Sequence, residues 1–260
     1  MKKSRVVITG LGVVAPNGIG RDIFWQALTS GRSGISTIST FDTCNFPTRI
    51  AGQVSDFVPE RYMEGKKAKR LSRTSQMAVA SARLALNDAR LDTAALRGDR
   101  VAVIFGVSTS AMDLIEKQHR HFLDRGVKAV LPFSIVAATP HTTSGEVTAE
   151  LGLEGSLCTL ATGCAAGLDS IGLGFTRISR GEATVVVAGG ADAPITPLIM
   201  AGLCATRIMS VRNDCPEKAS RPFDRLRDGG VLAEGGSAVV LEEYGHALSR
   251  GVKPYAEVVG

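Results

Sequence analysis

Apolar residues along this chain fall into two patterns: short unbroken runs rich in Val and Ile, and longer stretches spaced at three and four. Residues 5–14, 100–105, 183–188 and 236–241 are of the first kind and predict strands; the first reads as a buried strand ending in a Gly/Pro/Asn turn. The second kind predicts helices at about 22–30, 74–89, 113–123, 144–151, 168–180, 198–205 and 244–250. In the 74–89 helix the apolar positions are Met77, Val79, Ala80, Ala82, Leu84 and Leu86. Residues 31–65 are irregular, with an edge-strand candidate at 49–54, and residues 254–260 read as the beginning of a further strand. Strands that alternate with helices predict a layered α/β fold.

Composition narrows this. With 260 residues, 44% hydrophobic and 21% charged, the chain can bury a large core as one or two domains. Aromatics are scarce at 5% and glycines number 29, which suits helices packed closely on a parallel sheet. The net charge of +5 is modest, but Lys66, Lys67, Lys69, Arg70 and Arg73 concentrate it. Such a cluster is by default a solvated face, and without interleaved aromatics it does not predict nucleic-acid binding.

The five cysteines form no CxxC pair and no Cys/His metal spacing, so a reduced compartment is expected, with neither metal nor cofactor. The N-terminus is basic and then apolar, but Gly10, Gly12 and Pro16 interrupt it too soon for a signal peptide. No apolar run has membrane-spanning length, so a soluble, cytoplasmic protein without membrane contact is expected. Gly10-Leu11-Gly12 is no dinucleotide fingerprint, because Pro16 follows at once. Asp224, Asp228 and Glu234 read as structural, with Arg221, Arg225 and Arg227 as nearby partners.

Cys164 carries the candidate chemistry. The segment Ser156-Leu157-Cys158-Thr159-Leu160 is β-prone, Ala161-Thr162-Gly163-Cys164-Ala165 is a turn of small residues, and an apolar helix begins beyond it. Free N–H groups at a helix start favour a thiolate there, and small neighbours leave room for a carbonyl to approach. Cys158, Cys204 and Cys215 read as small core hydrophobes.

Four ordered blocks then match one family: Ala161-Thr162-Gly163-Cys164, Val187-Ala188-Gly189-Gly190-Ala191, Ala219-Ser220-Arg221-Pro222-Phe223-Asp224 through Arg227-Asp228-Gly229, and Leu241-Glu242-Glu243-Tyr244 with His246-Ala247. Over its whole length the chain resembles the N-terminal half of a β-ketoacyl-acyl-carrier-protein synthase, a condensing enzyme of the thiolase fold. The elongating bacterial type is the nearest match.

The resemblance implies an α/β N-terminal half of the thiolase fold, with a mixed five-stranded sheet layered with helices and the Cys164 helix buried at its centre. Residues 1–251 would form that domain and 252–260 would begin the C-terminal half. It implies decarboxylative Claisen condensation of an acyl thioester with malonyl-carrier protein in fatty acid or polyketide biosynthesis. Cys164 would carry the acyl group, while two histidines and a lysine would come from the second half. His119, His121, His141 and His246 match none of those histidine motifs.

Thr109, Met112, Phe133 and Leu203 become acyl-pocket candidates. Lys66, Lys67, Lys69, Arg70 and Arg207 become docking candidates for acidic acyl carrier protein. A homodimer, through the strand near Ala183 or its neighbours, or a complex with a chain supplying the second half is expected. Two other readings stay open: a catalytically silent relative serving as scaffold, and a cysteine hydrolase using His141 as base.

Overall fold

The computed structural model describes residues 4–96, 98 and 100–260. Its first strand, β1 (Val6–Ala15), turns into β2 (Gly18–Ile19) and helix α1 (Arg21–Thr29). A small hairpin of β3 (Ile35–Thr37) and β4 (Ile50–Gly52) follows, then α2 (Gly65–Ala68) and α3 (Arg73–Asp88). Next come β5 (Val101–Gly106), α4 (Met112–Arg125), α5 (Ser134–Ala138), α6 (Thr142–Leu151), β6 (Ser156–Leu160) and α7 (Ala166–Ser179). The chain finishes with β7 (Val185–Asp192), α8 (Pro197–Ala205), β8 (Gly235–Glu243), α9 (Tyr244–Ser249) and β9 (Ala256–Val258).

The main sheet has the order β2-β1-β8-β7-β5-β6, with β9 also pairing β1. Its body is the five longer strands; β2 and β9 are short additions that bring the sheet to seven. β5 runs parallel to β6 and β7, and β8 runs antiparallel to β7 and β1, so the sheet is mixed.

Alternation along the strands supplies two faces. Val103, Phe105, Val185 and Val187 pack with α3 and α6 residues such as Met77, Ala82 and Val147. Ala102, Ile104, Val186 and Ala188 meet Ile178 of α7 on the opposite face. β5 is therefore buried on both sides, as an unbroken apolar run requires. The early glycines have a packing role: a Cβ on Gly12 would sit 1.9 Å from the Ser81 carbonyl oxygen of α3.

Two expectations need correction. β7 is paired on both sides, by β5 and β8, so no second chain can add to the strand near Ala183; among the described strands β6 closes that end of the sheet with one edge free. The Cys164 helix is buried on one side only. Ala166, Ser170, Gly174 and Ile178 face the sheet, whereas Leu168 is 72% exposed, because among the described residues α7 packs on the sheet along one side only.

Candidate active site

The parallel strands β5 and β7 end together at Gly106 and Gly190, with β6 ending beside them at Leu160. Crevices outside the carboxyl ends of parallel strands are where α/β sheets hold ligands. Cys164 sits there, in a single 3-10 turn (Gly163–Ala165) between β6 and α7. Gly163 takes the left-handed conformation (φ 77°) that the reversal needs. The Thr162 hydroxyl donates to the Asp169 carboxylate at 2.5 Å, tying the turn to the first turn of α7. β5 contributes by being small: a Cβ on Gly106 would lie 2.1 Å from the Ala166 carbonyl carbon. Backbone of strand and helix are thus in contact, and this seats the turn.

The Cys164 side chain is exposed and borders two cavities. One, of 420 Å³, runs over the glycine-rich strand ends past Gly167, Ala191 and Ser237 to Phe24 of α1. The other, of 480 Å³, is almost wholly apolar, walled by Pro194, Leu198, Ile199, Leu203 and Leu232. Ser108 and Asp192 border both. The 14-residue α7 directs its free N–H groups toward the turn, and an anion formed beside Cys164 meets its positive end. A thiol so placed, with an apolar cavity beside it, is arranged for attack on a carbonyl that carries a hydrocarbon tail.

Of the pocket candidates, Thr109 and Leu203 line the apolar cavity with Cys164. Phe133 lies elsewhere, in a 300 Å³ cleft of α5 and α6 under the Arg70 guanidinium, which stands 4.9 Å above its ring. Met112 opens α4 and lines none of these three cavities. Of the basic candidates, Lys67 is engaged by Glu150 at 2.7 Å, while Lys66 and Lys69 are exposed without an ion pair among the described residues. Arg207 is exposed just past the end of α8, the helix that carries Leu203.

Several partners differ from those nearest in sequence. Glu234 pairs with Arg73, 161 residues away, at 2.7 Å through two of its guanidinium nitrogens, so half-buried Arg73 is committed to that carboxylate and not to the basic cluster. Asp228 meets Arg221 at 3.7 Å and accepts from the Ser210 hydroxyl at 2.9 Å. Burial pushes the Asp228 carboxyl up, but Ser210, the Val211 N–H and Arg221 together hold it below the usual carboxylate range. Cys158, Cys204 and Cys215 are only half-buried, since Cys158 faces α7 and Cys215 sits on a surface turn beside Glu217.

None of the four histidines lines either cavity beside Cys164. His141 stands exposed at the start of α6, its carbonyl accepting from the Thr159 hydroxyl at 3.3 Å. Among the described residues no group of His, Cys, Asp and Glu could hold a metal, and no helix is long and apolar enough to cross a membrane. Sequence reasoning missed Asp192 and Leu232. Asp192 had one visible signal, a carboxylate closing an otherwise apolar strand.

Comparison with known proteins bears on this geometry. Residues 3–247 match the family described as "Beta-ketoacyl synthase, N-terminal domain". A 3-oxoacyl-[acyl-carrier-protein] synthase 2 from Vibrio cholerae is 42% identical over 260 residues, which are all of this chain and 63% of that protein. Among solved structures, the ishigamide ketosynthase/chain length factor superposes with a TM-score of 0.91 at 32% identity, covering 99% of this chain and 63% of that one. A type II PKS acyl-carrier protein in complex with its ketosynthase bound to the hexaketide gives 0.87 at 30% identity, covering 99% and 62%. The chain thus spans a little under two thirds of each of these three proteins, and its fold is the N-terminal half of the thiolase fold.

Proposed function

The chain belongs to the beta-ketoacyl synthase family, and from that premise we propose that it is the acyl-accepting part of a 3-oxoacyl-acyl-carrier-protein synthase in fatty acid or polyketide biosynthesis. The observation that carries this is Cys164 at the start of α7, open to an apolar cavity of 480 Å³.

The Cys164 sulfur attacks the thioester carbonyl of an acyl-carrier protein. A new carbon–sulfur bond forms, the bond to the carrier breaks, and the carrier leaves as a thiol with the proton Cys164 gave up. The hydrocarbon tail occupies the cavity of Leu198, Ile199, Leu203 and Leu232, with Thr109 at its border. Malonyl-carrier protein then loses carbon dioxide, and its carbanion attacks the acyl-Cys164 carbonyl. The 3-oxoacyl product forms on the carrier and the cysteine is freed. The two histidines and the lysine of that step belong to a second half, from a continuation of the chain or another chain. Residues 1–251 form the present domain and 252–260 begin that half, which would cover the bare side of α7.

Exposed Lys66 and Lys69, next to Lys67 and Arg70 in the chain, and exposed Arg207 past α8 offer positive charge to acidic carrier protein. A homodimer would add at the β6 edge.

Intact-mass and peptide analysis after incubation with an acyl-pantetheine thioester tests the proposal. One acyl group on Cys164, absent from Cys164→Ala, is the expected result. Acylation of another cysteine overturns the assignment, and no acylation of the folded protein supports a catalytically silent scaffold.

A further inference from the structure

Asp192 is the last residue of β7 and lies where the two cavities meet at Cys164. Its carboxylate is surrounded by donors from a single loop. One oxygen accepts from the Ser108 amide at 2.6 Å; the other accepts from the amides of Thr109 (2.8 Å) and Ser110 (2.9 Å) and from the Thr109 hydroxyl (2.9 Å). Three consecutive amides converging on one carboxylate make a strong, charge-assisted clamp. The loop needs one, because Ser110 is a buried, non-glycine residue in the left-handed region (φ 53°). Thr74 of α3 secures the other side, donating its hydroxyl to the Ser110 carbonyl at 2.6 Å and accepting from the Ala193 amide at 3.0 Å. The clamp therefore joins the residue after β7, the loop after β5 and the first turn of α3 at the mouth of the cysteine site.

We propose that Asp192 is a positioning residue that sets the shape of the acyl cavity: it holds the 108–110 loop, whose Ser108 and Thr109 wall the cavity beside Cys164, and so governs which chain lengths reach the sulfur. This rests on the reading of the apolar cavity as the acyl slot. Asp192→Asn is the sharp perturbation. With its oxygen kept toward Thr109 and Ser110, the new NH₂ group faces the Ser108 amide, placing donor against donor where a 2.6 Å bond was. Asp192→Glu retains both acceptor oxygens.

The readout needs no catalysis. Cys164 is alkylated with iodoacetamide and with N-decyl-iodoacetamide, and the ratio of the two rates is measured by peptide mass spectrometry on protein whose circular dichroism matches wild type. In wild type the decyl reagent is favoured because its tail enters the cavity. Asp192→Asn lowers that preference by about tenfold, and Asp192→Glu recovers most of it. No decyl preference in wild type would sink the acyl-slot reading itself. A wild-type preference that survives Asp192→Asn unchanged would overturn the positioning role alone. Should Asp192→Asn not fold, amide hydrogen exchange of the wild-type protein decides: slow exchange at residues 108–110 supports the clamp, and free exchange there refutes it.

Discussion

Gly106→Ala tests how Cys164 is seated. The added Cβ would lie 2.1 Å from the Ala166 carbonyl carbon, 2.2 Å from its oxygen and 2.5 Å from the Gly167 nitrogen. All three are backbone atoms, so no rotamer change relieves the contact. Ordinary carbon contacts are about 3.5 Å, so β5 and the start of α7 must part by more than about 1 Å. Overpacking of this kind costs about 1–3 kcal/mol of stability. A shift of about 1 Å in a reacting group costs roughly 100-fold in rate.

Gly167→Ala is the matched control, at the second residue of α7. Its Cβ has 3.5 Å to the Gly190 Cα, and alanine is favoured over glycine in a helix by about 1 kcal/mol. Urea midpoints at constant slope give the stabilities, and transfer from an acyl-pantetheine to Cys164 gives the rate. Gly106→Ala should lose on both measures, while Gly167→Ala should be as stable as wild type or more so. If the two variants behave alike, contact between β5 and α7 is not what places Cys164.

Two further outcomes follow from the charge network. Arg250→Met strips the fully buried Glu242 of guanidinium bonds at 2.7 and 2.9 Å and should cost about 3 kcal/mol in urea unfolding at neutral pH. Burial pushes the Glu242 carboxyl up, but Arg250, Thr9 and His246 hold it below its ordinary value of 4.5. The stabilisation is therefore complete above that value and lost as pH falls through the lower folded value, so the wild-type advantage over Arg250→Met should shrink in acid. On the surface, Lys66→Glu with Lys69→Glu should slow association with an acyl carrier protein, about tenfold at low salt and less at high salt. Lys67→Met should change it much less, because Glu150 already neutralises that charge; equal effects in stopped-flow would refute the division of the patch.

The strands and helices were legible because their signal is local. The unbroken apolar run of β5 and the spacing of Met77, Ala82 and Leu86 on α3 state their burial without reference to partners. The Cys164 turn was legible for the same reason, its small residues lying between a β-prone run and an apolar helix, and only the helix start moved, to Ala166. β2, β3 and α5 escaped, being too short for any period to register.

Local pattern settled the kind of layer each segment can join and the place of Cys164 at a strand-to-helix turn. Strand order decided the rest. It buried β7 between β5 and β8, left one edge of β6 free among the described strands, and gave Glu234 the distant Arg73, 161 residues away, in place of a nearby arginine. It also brought Asp192 against amides more than eighty positions earlier, at the wall of the cavity. Periodicity reports only whether a side chain faces inward; which charge or amide it meets there depends on which strands lie side by side, and no local pattern encodes that.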